Sequence, residues 1–342
     1  GLGDVYKRQY QVRPFEFPGD HGPHPAFRNE WWYLTGNLRD DTGRRFGYQV
    51  TFFRNALLPR SAAREGDSAW RTSTLWMAHA ALTDVADGKH QAEERFSRGA
   101  PGLAGAQLEP MTVWLENWRL ASLGAGAHAF PWQLEVSSES FVLALELSAA
   151  TDPVLQGDRG LSQKGTQAGN ASYYYSVPRL HTSGRISLAG RHFQVEGLSW
   201  LDREWSTSAL EAGQTGWDWF ALQLDDGGAL MYYQLRRGSR GADPLSRGNW
   251  IDADGHSHAI PASDLRLREL DYWRAPDGND YPVRWSMHWV PAGKHWLIEA
   301  VLHEQFNDLS VKYWEGAVDV RDFETSALRG QGYLEMTRGR RK

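Results

Sequence analysis

Along most of this chain, apolar and polar residues alternate with a period of two. Trp132, Leu134 and Val136 are separated by Gln133 and Glu135. After the polar stretch Ser137-Ser138-Glu139, the run Phe141, Leu143, Leu145, Leu147 resumes with the same period. Two such runs around a polar turn predict a hairpin with one buried face. Residues 185–188 and 192–196 flank Ala189-Gly190 and predict a second hairpin. Trp285, Met287 and Trp289 predict a third, turning at Pro291-Ala292-Gly293-Lys294 and returning through Trp296 and Ile298. Helical periodicity is nearly absent; one short helical turn is expected over residues 93–97. Short strands and turns at this spacing predict an all-β protein, an antiparallel sandwich or barrel.

One hairpin pattern occurs twice. Its first copy reads Trp31-x-Tyr33, Asn37-Leu38-x-Asp40, Gly43, Tyr48-Gln49-Val50. Its second reads Trp217-x-Trp219, Gln223-Leu224-x-Asp226, Gly227-Gly228, Tyr233-Gln234-Leu235. Each is a strand, an Asp/Gly turn and a return strand with aromatic pairs across it, ending on arginine at Arg54 and at Arg236-Arg237. Two copies half a chain apart predict two related antiparallel barrels in tandem, too few for a propeller or solenoid. Residues 1–10 look like a non-native leader. The barrels are expected over 11–183 and 184–342, with a second possible boundary near Ser206.

Composition sharpens this picture. The chain of 342 residues holds 17 Trp, 13 Tyr and 13 Phe, a supply of rigid rings suited to thick cores or an aromatic-walled cavity. With 41% hydrophobic and 23% charged residues it is globular. The net charge of −5 and a basic run confined to 338–342 lack the electrostatic footprint of nucleic-acid binding. Cysteine is absent, so disulfides and thiolate metal sites are excluded. No apolar run reaches membrane-spanning length; the nearest, around Trp296 to Leu302, is broken by Glu299. The chain has no Gly-x-Ser-x-Gly elbow, phosphate loop or dinucleotide fingerprint, and His303-Glu304 lacks the second histidine of a zinc protease. The histidines show no metal-ligand spacing, so neither metal nor cofactor is expected.

Two clusters carry candidate chemistry. Trp200-Leu201-Asp202-Arg203-Glu204-Trp205 sets two carboxylates and an arginine between tryptophans. In an apolar cavity, Asp202 or Glu204 would keep its proton to higher pH and serve as a general acid, while tryptophan rings shield a developing cation. The alternative is an arginine–carboxylate network tying strands or domains together. The second cluster, Glu30-Trp31-Trp32-Tyr33, stands at the matching end of the first hairpin. His79, with Asp84 five residues on, is a candidate base oriented by that aspartate, or a core histidine. Candidate ligand-facing residues are therefore Trp31, Trp32, Tyr33, Trp200 and Trp205, with Trp217, Trp219 and Tyr233 from the second hairpin. Glu30, Arg54 and Arg203 are the charge partners, and Arg95 and Arg98 could also answer buried acids.

HPAFRNEWWYLTGNL (24–38), WMAHAALTD (76–84) and ERFSRGAPGLAGA (94–106) resemble the first half of a known family's pattern. GLSWLDREWS (197–206), GWDWFALQLDDG (216–227), YWEGAV (313–318) and GYLEM (332–336) resemble the second. This is the AttH-like/carotenoid 1,2-hydratase-like group of tandem lipocalin-like proteins, and the resemblance runs over nearly the whole chain. It implies two packed calycin-type barrels, a periplasmic or secreted location with a possible lipid anchor, and a lipoprotein-export-like ABC transporter as a possible partner. One branch hydrates isoprenoid double bonds. Arg203 stands where that branch has histidine, and Gln234 where it favours an acid, so the chain is closer to the AttH-like branch. The first expectation is an extracytoplasmic carrier of a hydrophobic small molecule, a lipid or an isoprenoid. The alternatives are an acid-catalysed hydratase or cyclase of a polyene and, third, a docking partner for the transporter.

Overall fold

The computed structural model describes residues 9–57, 74–99, 102–124, 129–207, 211, 213–238 and 243–338. Residues 1–8 of the expected leader and 339–342 of the basic run lie outside them. Strands account for nearly all regular structure. The first group is β1 (Asn29–Asp40), β2 (Arg45–Ala56), β3 (Thr74–Asp84), β4 (Lys89–Ser97), β5 (Ala104–Leu108), β6 (Met111–Leu115) and β7 (Trp118–Ser122). It continues with β8 (Trp132–Ser137), β9 (Phe141–Ala149), β10 (Val154–Leu155), β11 (Leu161–Gln163), β12 (Ala171–Leu188) and β13 (Arg191–Ser206). The second group comprises β14 (Gln214–Leu224), β15 (Ala229–Arg237), β16 (Arg247–Ile251), β17 (Ser257–Pro261) and β18 (Leu265–Arg274). It ends with β19 (Asp280–Trp289), β20 (Lys294–Ala300), β21 (Phe306–Asp308), β22 (Lys312–Asp322) and β23 (Leu328–Thr337).

The two groups form two curled antiparallel sheets with matching topology. The first runs β4-β3-β2-β1-β13-β12-β9-β8-β7-β6-β5, and the second β17-β16-β15-β14-β23-β22-β20-β19-β18. In each, the repeated hairpin (β1–β2, β14–β15) pairs its first strand with the last strand of its group, β13 or β23. The three hairpins expected from alternation form as β8–β9, β12–β13 and β19–β20.

Two expectations need correction. Residue 183 falls inside β12, and the chain changes sheet only between Ser206 and Gln214. Residues 93–97 are strand, the end of β4, paired with β3. β4 closes an edge of the first sheet, and its half-buried polar side chains meet polar partners, His90 at Asn307 and Glu94 at Ser310, which removes the apolar beat that marks a strand.

Each sheet wraps its own core. Trp32, Trp118, Trp132 and Trp205 are fully buried in the first, and Trp285, Trp314 and Tyr281 in the second. Burying one such ring contributes about 2–3 kcal/mol. A third apolar cluster lies between the barrels, where Tyr33, Trp200 and Trp219 pack with the small residues Ala221, Ala229 and Ala317. Gly47 lets the sheets approach: a Cβ there would stand 2.8 Å from the Tyr333 hydroxyl and 2.9 Å from Ala317 Cβ. Among the described residues no helix is long and apolar enough to cross a membrane.

Candidate functional site

Strand register decides which candidates meet. Across β1 and β13, Trp31 lies opposite Glu204, Trp32 opposite Arg203 and Tyr33 opposite Asp202. Successive side chains point to opposite faces. Trp31, Tyr33, Asp202 and Glu204 therefore face the second barrel, while Trp32, Arg203 and Trp205 turn into the first.

The inward set is a structural network. The Arg203 guanidinium lies 3.8 Å from the Trp32 ring centroid and donates to the backbone oxygens of Trp31 (2.8 Å) and Gly22 (2.6 Å). It also meets Glu30 at 3.2 Å, and Arg54 binds the same carboxylate. Burial pushes the Glu30 carboxyl up, but the His24 hydrogen bond and the charges of Arg203 and Arg54 outweigh it and hold the group below the usual carboxylate range. Arg203 thus answers Glu30 rather than its neighbours Asp202 and Glu204. Arg95 pairs instead with Glu93 and Glu116 near the surface.

The outward set lines a cavity of about 440 Å³ between the barrels. Trp31, Tyr33, Phe53, His79, Tyr174, Asp202 and Glu204 come from the first barrel. Trp217, Trp219, Tyr233, Tyr313, Glu315 and Glu335 come from the second, and Lys164 follows β11. Trp32, Trp200 and Trp205, expected to face ligand, do not line it. Trp200 instead sits in the inter-barrel core and donates to Asp202 from there.

Asp202 is the most elaborately held acid. Ser176 Oγ (2.5 Å) and Trp200 Nε1 (2.7 Å) donate to Oδ1, and the Tyr174 hydroxyl (2.5 Å) to Oδ2. Tyr174 in turn accepts from Trp219 Nε1 at 3.2 Å. Burial pushes the Asp202 carboxyl up to about 7 against these three hydrogen bonds, with the charge of Glu204 adding to the rise. Glu204 forms an ion pair with Lys164 at 3.2 Å. Burial disfavours the Lys164 ammonium, but Glu204 and Tyr233 hold it above its ordinary range.

The second barrel supplies two further acids. Glu335 accepts from Trp217 Nε1 at 2.7 Å. Burial, together with the charges of Asp202 and Glu204, carries it to about 7. Glu315 accepts from the Tyr33 hydroxyl of the first barrel. Burial and the neighbouring Glu335 raise it well above the carboxylate range. Glu335 is the counterpart of Asp202: Tyr33 lies opposite Asp202 in one barrel, and Trp219 opposite Glu335 in the other.

His79 lies in this cavity but not in the arrangement expected. Its Nδ1 is 2.8 Å from the Tyr313 hydroxyl, and Nε2 is 3.7 Å from Glu94. Asp84 pairs with Arg44 instead, because five residues along a strand is the opposite face. Burial lowers His79 to about 4, so its ring is neutral at neutral pH.

A family model described as AttH-like matches residues 8–339. The chain belongs to the AttH-like family. A crystal structure from Nitrosomonas europaea assigned to AttH is 33% identical with a TM-score of 0.82, covering 95% of this chain and 97% of that one. Kievitone hydratase from Nectria haematococca superposes with a TM-score of 0.72 at 12% identity, over 97% and 95% of the two chains. CghA with Sch210972 follows at 0.57 and 13%, over 99% and 96%. At such identities the last two speak for the fold alone. No match is found among curated proteins.

In this AttH-like chain, Glu315, Glu335, Tyr174, Tyr313 and Lys164 were not singled out from the sequence. Two of them carried a usable signal. Tyr313-Trp314-Glu315 and Tyr333-Leu334-Glu335 each place an acid two residues from a tyrosine, on the same strand face. Lys164 lies in a polar turn, with nothing to separate it from a surface lysine.

Proposed function

We propose that this AttH-like protein is an acid catalyst that adds water to a carbon–carbon double bond of an apolar, isoprenoid-like substrate held between its barrels. Asp202 carries the proposal: a buried carboxyl on an aromatic cavity wall, held at about 7, keeps a proton at neutral pH and can give it up. Its proton passes to one alkene carbon, leaving a carboxylate and a cation on the other. The rings of Trp31, Tyr33 and Trp219 shield that cation. Water adds to it and returns a proton to the carboxylate, so the acid is regenerated and the product is an alcohol. Tyr174 lies on this path: when Asp202 is protonated, Oδ2–H donates to the Tyr174 oxygen and frees that hydroxyl to point into the cavity.

A carrier of hydrophobic molecules would use the same cavity, and its aromatic walls favour that second reading. Yet a carrier has no need of buried acids, each of which costs stability when left without a cation. The deciding assay incubates the protein with an acyclic carotene in heavy-oxygen water and follows label incorporation by mass spectrometry. Labelled alcohol is expected from wild type and not from Asp202→Asn. Recovery of bound, unaltered polyene from wild type would establish the carrier instead.

A further inference from the structure

Several features outside the proposed chemistry lead nowhere by themselves. An open cleft of about 920 Å³ runs between residues 149–159 and 253–259, but its charged residues Asp152, Arg159 and Asp254 are all exposed. Asp252, Asp254 and His256 cluster at the surface, where the Asp252 carboxylate caps its own turn. The cavity carboxylates are different.

Lys164 shows how this cavity holds a positive charge. Its ammonium lies 3.2 Å from Glu204, 4.2 Å from the Tyr233 ring centroid and 5.1 Å from that of Tyr174. One carboxylate and two rings replace water around it. Glu315 and Glu335 stand among the same kinds of group, and neither has a cationic partner among the described residues. Tyr33 and Trp217 each occupy one oxygen of these acids, and Tyr313 lies close enough to feel both charges. Glu315 Oε2 is buried without any hydrogen-bond partner, and its residue is only 1% exposed. A hard divalent ion would need six or more oxygens around it; here rings take most of those places.

We propose that the cavity binds an apolar ammonium ion, tertiary or quaternary, seated between Glu315 and Glu335 and against the rings of Tyr33, Trp217 and Tyr313. This deepens the acid-catalyst reading and rests on its site. The charge that a protonated alkene carries briefly is the one an alkylammonium carries permanently. Such a ligand sets a permanent positive charge beside Glu315 Oε2, which no cation of the described residues approaches, and cannot react.

Binding is coupled to proton release. A fixed cation favours the ionised acids, so Asp202 and Glu335, both near 7, lose protons as it enters. Glu315, held higher, ionises only against the cation itself. The other facing groups keep their state: His79 is neutral above about 4, Lys164 is raised and stays charged, and Tyr33, Tyr174 and Tyr313 are raised and stay protonated. Affinity therefore rises with pH through neutrality.

The test titrates wild-type protein with hexyltrimethylammonium and with its neutral isostere, in which carbon replaces nitrogen, by tryptophan fluorescence. Calorimetry in two buffers of different protonation enthalpy counts protons. The cation is expected to bind at least about tenfold tighter at about pH 8, and to weaken about tenfold by about pH 6, with net proton release. Glu315→Gln is expected to weaken the cation about fivefold and leave the isostere unchanged. Equal affinity for the two ligands, or a cation preference with neither pH dependence nor proton release, would overturn the proposal. Hydration of carotene without cation preference removes this inference alone. Cation preference without hydration supports this inference and removes the catalytic reading.

Discussion

At the scale of the residue, two buried acids titrate in opposite senses. Asp202 holds its proton in the folded protein well above the range where an unfolded aspartate loses it. Its contribution to stability is therefore full below the ordinary carboxylate range and is lost as pH rises through about 7. Asp202→Asn mimics the protonated form, with the amide donating to Tyr174. At about pH 8 it is expected to be more stable than wild type by about 1–3 kcal/mol in urea unfolding. Hydration is expected to fall at least about a hundredfold, and in wild type to decline with pH above about 7 as the acid ionises. Glu30 behaves the other way: its carboxyl is lowered, so its stabilisation is present above the unfolded range and is lost as pH falls toward the folded value. Glu30→Gln leaves Arg203 and Arg54 without their carboxylate. It should cost about 3–5 kcal/mol in urea unfolding at neutral pH, with the deficit shrinking in acid.

At the scale of the element, one strand serves two purposes through its two faces. β13 gives Asp202 and Glu204 to the cavity and Arg203 and Trp205 to the interior network. Trp205→Leu should therefore lower stability by about 3 kcal/mol and leave ligand affinity nearly unchanged. Trp217→Leu, on β14, should cost little stability but weaken cavity ligands, with Glu335 titrating higher once its indole donor is gone; ligand titrations against urea curves separate the two cases. Alternation alone groups Trp31 with Tyr33 and separates them from Trp32. It cannot say which face meets the other barrel, because that depends on contacts half a chain away. Trp32 and Trp205 were for that reason expected on the wrong side. Trp200 shares the face of Asp202 but lies farther along the strand, in the inter-barrel core, where only tertiary packing places it. Lone acids such as Glu315 and Glu335 within a strand look like solvent-facing positions until the opposing sheet is present. The repeated hairpin, in contrast, was legible because an aromatic strand, an Asp/Gly turn and a Tyr-Gln return strand recur in the same order at nearly the same spacing.

At the scale of the whole molecule, the barrels are tied by reciprocal contacts. Arg45, at the turn end of the first repeated hairpin, reaches Asp319 of β22 (2.5 Å) and the Val318 oxygen (3.3 Å). Arg179, from β12, reaches the backbone oxygens of Leu224 (2.6 Å), Gly227 (3.1 Å) and Gly228 (2.9 Å) at the turn end of the second. Arg179→Ala should destabilise the protein by about 2 kcal/mol while leaving both barrel cores packed. With the inter-barrel cluster buried on both sides, thermal unfolding is expected as one calorimetric transition. A chain severed between Ser206 and Gln214 should yield halves that associate when co-expressed and aggregate when expressed alone.

The two walls that enclose the cavity answer one another position by position, which makes the space between them a near-dyad. A long molecule entering it meets Trp31, Tyr33 and Asp202 on one side and Trp217, Trp219 and Glu335 on the other. Its head-to-tail sense is chosen where the walls differ, as at Glu204 with its Lys164 against Thr337, Thr51 against Tyr233, and Phe53 against Leu235. A molecule with two like ends would offer each of them to a buried acid raised towards neutrality without turning round.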